Sequence, residues 1–213
     1  MTRPPFETAA NLFAQPGIVH GFFGRRGGAS TGIYASLNVG IGSGDDPAAI
    51  AENRGRIRRG LGFQDMVSCY QVHGRGVVEV TAPWQVRPEA DAMVTRMPDI
   101  GLCILTADCV PVLFADADAG VVGAAHAGWK GALAGVTEAT VEAMCILGAR
   151  REAIQAAIGP AIQQASYEVG PEFEARFLAE NPARADFFIP GQGDRRQFDL
   201  TGFVEQGLIA LGL

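Results

Sequence analysis

Histidine is scarce in this chain of 213 residues, with three in all, and cysteine is hardly commoner, with four. Four thiols fall well short of a disulfide-stapled scaffold, so free cysteines in a reducing compartment are expected. Hydrophobic residues make up 48% of the sequence, yet nothing approaches the roughly 20 consecutive apolar residues of a membrane span. The N-terminus, MTRPPFETAANLFAQPG, has no continuous apolar stretch and no obvious cleavage site, which argues against export by a signal peptide and leaves the cytoplasm as the expected location. Basic residues are outnumbered 17 to 23, for a net charge of −6. A general nucleic-acid-binding surface needs clustered Lys and Arg to neutralise phosphates, so none is expected. The one basic cluster, Arg54, Arg56, Arg58 and Arg59, reads as the solvated face of a helix. Repeats, low-complexity tracts and long linkers are also missing, and a single domain over 1–213 is the simplest organisation.

Glycine, by contrast, is abundant, with 28 residues. It concentrates in GFFGRRGGASTG (21–32) and NVGIGSGDD (38–46), which should be irregular backbone with positive φ. Asp46 and Pro47 form an N-cap and first-turn pair for a helix running to about Gly60. VSCYQVHGRGVVEV (67–80) reads as two β segments around His73 and Gly74. DAMVT, IGLCILTADCVPVLFAD and GVVGAAHAG continue the β pattern, and the second of these would place Cys103 and Cys109 on one strand. Apolar spacing turns helical through WKGALAGVTEATVEAMCILG, with Gly148 as the stop. IQAAIGPAI is a further strand, EVGPEFEARFLAEN a helix with Pro171 in its first turn, and DLTGFVEQGLIALGL a helix capped by Asp199 or Thr201. Consecutive strands in the middle and helices clustered later give an α+β fold class: a layered α/β sandwich, mixed sheets with flanking helices.

With three histidines, His20, His73 and His126, any histidine-dependent site is nearly forced by counting. His20 reads as a packed or hydrogen-bonded edge residue. His73 and His126 stand where strands hand over to loops, and Cys109 falls between them in sequence. Two imidazoles and a thiolate from three strand ends would make a three-donor site with an open fourth position, as in catalytic zinc centres. On spacing alone, satisfied core His and Cys explain the pattern more simply. Cys69, Cys103 and Cys145 lie in apolar stretches and read as small core residues. The loop NVGIGSGDDPAAIAENR offers backbone N–H groups, a helix N-terminus and Arg54 to an anion, opposed by the charges of Asp45 and Asp46. Gly128 and Gly131 could let the backbone and Lys130 approach an anion, or simply make a tight turn. Arg25 and Arg26 divide between loop surface and substrate contact, and Tyr70, Tyr167 and Phe22 between stacking on a substrate ring and packing.

QVHG, ADAMVT, TADCVPVLF, AAHAGWKG, IGPAI and YEVG, in this order and preceded by GFFGRRGG and SLNVG, resemble the YfiH laccase-domain family. That family was once called multicopper polyphenol oxidoreductases and is now regarded as purine nucleoside phosphorylases. The resemblance implies metal ligands at His73, Cys109 and His126, a catalytic set of these three with Asp108, and substrate-binding residues Asn38 and Arg54. Gln71 of QVHG and Lys130 complete the expected substrate side. It implies Zn²⁺ as cofactor, phosphate as co-substrate and purine nucleosides as small-molecule partners, with phosphorolysis of adenosine, inosine, guanosine and methylthioadenosine, and deamination of adenosine. It further implies a fold related to cysteine-histidine toxin deamidases. It also implies a C-terminal Cys-Thr segment and an FFSYRR…GR stretch, which this 213-residue sequence lacks.

Other chemistries stay open at this point. A copper-dependent, laccase-like phenol oxidase is compatible with a mononuclear His₂Cys centre, although three histidines cannot furnish a multicopper set. A metal-free Cys109–His126 hydrolase or deamidase would need a thiol of low pKa. A binding or scaffolding role would leave the pocket a relic.

Overall fold

A computed structural model describes residues 3–213, so the first two positions of the expected 1–213 domain lie outside the described residues. In chain order the elements are β1 (Phe6–Glu7), α1 (Ala10–Phe13), β2 (Phe22–Phe23), α2 (Pro47–Leu61), β3 (Asp65–Val67), β4 (Val77–Glu79), β5 (Ala92–Thr95), β6 (Ile100–Leu102), β7 (Val110–Asp116) and β8 (Val121–Ala127). They continue with α3 (Trp129–Leu133), α4 (Val136–Ile146), β9 (Gln155–Ile158), β10 (Glu168–Val169), α5 (Pro171–Glu180), β11 (Phe188–Pro190), β12 (Arg196–Phe198) and α6 (Leu200–Ala210).

The centre is a five-stranded sheet in the order β4-β5-β8-β7-β9. Only β4 and β5 pair in parallel; the other contacts are antiparallel. Successive side chains of β7 serve opposite faces. Val112 and Phe114 join a core built with Val141 and Met144 of α4 and Val204 and Leu208 of α6. Leu113 and Ala115 join Leu12 of α1, Ile18 and Phe22 on the other side. Burial on both faces explains why VPVLF is continuously apolar rather than alternating. A three-stranded sheet, β10-β12-β11, packs with α5 through the rings of Phe173, Phe177, Phe188 and Phe198, whose neighbouring centroids lie 4.8–6.1 Å apart. The architecture is thus mixed α/β, with several sheets and flanking helices. Among the described residues, no helix is long and apolar enough to cross a membrane.

Several local expectations change. Helix α2 starts on the Asp46 cap, whose carboxylate accepts from Ala48 N–H, but ends at Gly62 (φ 82°), two residues past Gly60. The expected helix after Gly128 is broken into α3 and α4 by Gly135 in a left-handed conformation (φ 84°), while Gly148 (φ 99°) terminates it as anticipated. The run 100–116 is two strands in two different sheets: β6 pairs in parallel with β3, and β7 enters the central sheet. Residues 103–109 between them are irregular, so Cys103 and Cys109 do not share a strand. The polar triplet Thr106, Asp108 and Cys109 interrupts the apolar pattern there, and exposes Thr106 and Asp108. Likewise, 68–76 is mostly irregular rather than β. Positive φ occurs at Gly27 and Gly32 of the first glycine-rich loop, but at no glycine of 38–46. In that second loop smallness is what counts at Gly44, where a Cβ would stand 2.9 Å from the Tyr34 hydroxyl. Asp199, not Thr201, caps α6 by accepting from Gly202 N–H.

Candidate metal centre

Strand register assembles the site at one end of the central sheet. Val110 pairs with Ala127 and Pro111 with His126, so Cys109, just before β7, lies beside the end of β8. Ala92 pairs with Ala125, which sets Asp91 at the same end, and Val77 pairs with Ala92, which brings the 73–76 turn there. The donor atoms of His73, Cys109 and His126 consequently lie within 4.8 Å of one another. The two imidazole rings meet edge to face, with centroids 4.8 Å apart at 79°. His126 is buried, Cys109 half-buried and His73 exposed, so the triangle opens to solvent on the His73 side.

These residues fit a tetrahedral ion. Zn–N and Zn–S bonds of about 2.0–2.3 Å separate tetrahedral donors by about 3.5 Å, and the three donor atoms lie within 4.8 Å of one another. Three protein donors rather than four match the open, catalytic type of site. His126 Nδ1 lies 2.8 Å from Asp91 Oδ1, which leaves Nε2 as its donor. Burial lowers the His126 pKa, against the opposing pull of Asp91, which keeps the ring neutral and able to ligate. Burial pushes the Cys109 thiol up, and the charges of Asp108 and Asp91 push the same way. A bound cation would offset all three influences.

Gly128 shows how tightly the triangle is enclosed. A Cβ there would stand 2.8 Å from His73 Cδ2 and 3.1 Å from Cys109 Sγ. At Gly131 a Cβ would stand 2.7 Å from the carbonyl oxygen of Gly74, so α3 presses directly on the turn that carries His73. Both glycines are needed for this close packing around His73 and Cys109.

The remaining expected residues occupy varied places. Asp108 is exposed beside Cys109, and its backbone carbonyl accepts from Ile162 N–H. Gln71 brackets Leu105, donating to its carbonyl and accepting its N–H, and so ties the His73 turn to the segment before Cys109. Asn38 donates to Ser43 Oγ and Asp45 Oδ2, and accepts from Gly40 N–H. It also lines a groove of about 930 Å³ that includes Gly40, Cys103, Leu105 and Thr106 but none of the three ligand residues. Arg54 donates to the Val39 carbonyl and Ser68 Oγ. Lys130 is exposed, its ammonium 5.5 Å from the Trp129 ring centre. Arg25 is bound to the Ala35 carbonyl, and His20 accepts from Ala9 N–H, as an edge residue should.

The model of the family described as multi-copper polyphenol oxidoreductase laccase matches residues 19–213. The chain belongs to that family. This laccase-family chain is 46% identical to a purine nucleoside phosphorylase of Deinococcus radiodurans over 95% of its own length and 78% of the relative's. It is 44% identical to purine nucleoside phosphorylase ORF3 of Streptomyces griseus, over 90% and 79% of the two chains. Among solved structures it resembles YlmD from Geobacillus stearothermophilus (TM-score 0.84, 30% identity, 97% of this chain and 84% of that one). It also resembles a Neisseria meningitidis protein of the DUF152 family (TM-score 0.83, 33% identity, 91% and 78%).

Two structurally central residues of this laccase-family chain, Asp91 and Asn53, carry no signal in the sequence. Asp91 sits in the ADAMVT motif as an ordinary-looking acid before a strand, and nothing local distinguishes it from a surface aspartate. Asn53, the neighbour of Arg54, is fully buried: its Oδ1 accepts from Ala29 N–H, and its Nδ2 donates to Ser30 Oγ and to the carbonyls of Ser36 and Asn38. Tyr167 of YEVG, expected either to stack or to pack, packs. Its ring packs against Phe173 and Phe198, with centroids 6.1 and 5.7 Å away, and burial raises its pKa, with the charges of Cys109 and Asp108 adding to the shift.

Proposed function

We propose that the chain is a zinc-dependent purine nucleoside phosphorylase that also deaminates adenosine and accepts methylthioadenosine, acting in the cytoplasm with phosphate as co-substrate. The observation that carries this reading is the convergence of His73, Cys109 and His126 into an open three-donor triangle beside an exposed Asp108. Relatives at 44–46% identity that bear the name purine nucleoside phosphorylase support the substrate class. His73, Cys109 and His126 would hold the zinc, which would supply a Lewis acid there.

The chain's own residues then bind, orient and move protons. In phosphorolysis a phosphate oxygen bonds to C1′ as the bond from C1′ to the purine nitrogen breaks, and the departing base takes up a proton. That proton leaves the attacking hydrogenphosphate; we assign its relay to the base to the Asp108 carboxylate, and the phosphate's charge to Lys130 and, through the loop it holds, Arg54. Gln71 and Asn38 contribute to the substrate side by fixing the 105–109 and 38–46 segments. In deamination a water adds at C6 and ammonia leaves, at the same mouth. A metal-free Cys109 nucleophile is disfavoured, because burial and two neighbouring carboxylates raise the thiol where that chemistry needs it lowered. The donor set also suits copper, and the matched family model is named for copper; metal analysis of protein made without added copper separates the two.

Zinc-loaded protein should release adenine from adenosine only when phosphate is present, and form inosine without it. Cys109→Ala should abolish both reactions. Full activity in that variant, or in chelator-treated protein, would overturn the reading.

A further inference from the structure

Asp91 is fully buried (0% exposed), and among the described residues no Lys or Arg is paired with it: its one ionic contact is the His126 ring. A carboxylate so placed costs several kcal/mol unless its oxygens are satisfied. Here Oδ2 accepts from Gly74 N–H at 2.7 Å and Val72 N–H at 3.2 Å, and Oδ1 accepts from His73 N–H at 2.9 Å. Oδ1 also meets His126 Nδ1 at 2.8 Å. The backbone of Asp91 is fixed as well, donating to the Gly76 carbonyl at 3.0 Å and accepting from His126 N–H at 2.7 Å.

Two consequences follow for the donors. His73 has φ 60°, a left-handed conformation that costs a non-glycine residue about 1–3 kcal/mol and persists only where its surroundings impose it. Three successive N–H groups converging on one carboxylate impose it. For His126, a carboxylate that already accepts three N–H bonds acts as an acceptor, so Nδ1 carries the proton and the lone pair lies on Nε2, the atom left for a metal.

We propose that Asp91 is the positioning residue of the metal centre: one carboxylate sets both the turn that delivers His73 and the ring tautomer that frees His126 Nε2. The two histidine donors are therefore coupled, although His73 and His126 come from separate segments. The inference rests on reading His73, Cys109 and His126 as ligands. Asparagine cannot substitute: it offers one acceptor oxygen to four N–H donors, and its own NH₂ would confront the others or turn the ring to its other tautomer.

The test compares wild type, Asp91→Asn and Thr95→Val. Thr95, at the far end of β5, donates to the Val80 carbonyl and accepts from Met97 N–H, so its loss destabilises the same strand without touching a histidine. In metal-free protein, long-range ¹H–¹⁵N spectra should show His126 as the Nδ1–H tautomer in wild type and Thr95→Val, and as Nε2–H or a mixture in Asp91→Asn. Zinc dissociation constants from dye competition should rise about 10–100-fold in Asp91→Asn and stay unchanged in Thr95→Val. An Nε2–H tautomer in wild type overturns the proposal without any variant, and so does unaltered zinc affinity and tautomer in Asp91→Asn. If Asp91→Asn does not fold, the wild-type tautomer decides. If wild type binds no zinc while the tautomers behave as stated, the ligand reading fails and the metal-centre role of Asp91 falls with it, leaving only its control of the His126 tautomer.

Discussion

Replacing Gly128 by alanine puts a methyl group where the structure leaves none, 2.8 Å from His73 Cδ2 and 3.1 Å from Cys109 Sγ. Unstrained carbon contacts sit near 3.5–4.0 Å, so the imidazole must retreat by about 1 Å and the sulfur by about half that. Metal–donor distances tolerate only about 0.2 Å, so the ion loses one good donor or holds two poor ones. A zinc dissociation constant higher by 10–100-fold is expected, the range found when the support of a ligand is lost. The fold should respond far less. Gly128 has φ −71°, which alanine adopts freely, and reduced unfolded-state freedom stabilises by about 0.4–1 kcal/mol, offsetting part of an overpacking cost of about 1–3 kcal/mol. Dye-competition titration with zinc, run beside urea unfolding of the metal-free protein, reads both quantities. Zinc affinity equal to wild type in Gly128→Ala would refute the enclosed triangle; a variant that unfolds outright would refute the separation of binding from folding.

Asn53→Ala should lower the free energy of unfolding by about 2–4 kcal/mol in urea titrations, because it strands buried partners on the 29–38 loop; a loss under 1 kcal/mol would contradict its role as the hub of that loop. Zinc affinity should rise about tenfold per pH unit from pH 7 to 8.5, since the raised Cys109 thiol must give up its proton on binding while His126 is already neutral; a flat profile would mean the thiolate is already formed. Cys69 is pushed up to about 11 by burial, with Asp91 adding to it. Its neutral thiol is thus favoured by folding: the contribution is intact below pH 9 and lost as pH rises toward 11, amounting to about 1 kcal/mol by pH 10. The difference in unfolding free energy between pH 8 and pH 10 should shrink by that amount in Cys69→Ala.

The parts of the fold written in short-range terms were legible in the sequence. Asp46-Pro47 and Pro171 mark where α2 and α5 begin, Gly148 where α4 stops, and the apolar run VPVLF the doubly covered strand β7. What misled was apolar continuity without periodicity. Residues 100–116 read as one strand although their two halves pair in different sheets, a fact set by partners far away in sequence. Of the site, the donors were legible because so few His and Cys exist to choose from. Asp91 was not, since its meaning lies in backbone N–H groups from residues 72–74 and a ring from residue 126. Gly128 was legible as a close-approach glycine, but what approaches it is the His73 ring and the Cys109 sulfur.

Anomalous scattering at the zinc edge, from crystals of protein purified without added metal, tests the central claim most directly. The account predicts a single strong peak between His73, Cys109 Sγ and His126 Nε2, at about 2.0–2.1 Å from the nitrogens and 2.3 Å from the sulfur. Crystals grown with saturating zinc that show no peak at this triangle, or one held by other residues, would contradict it.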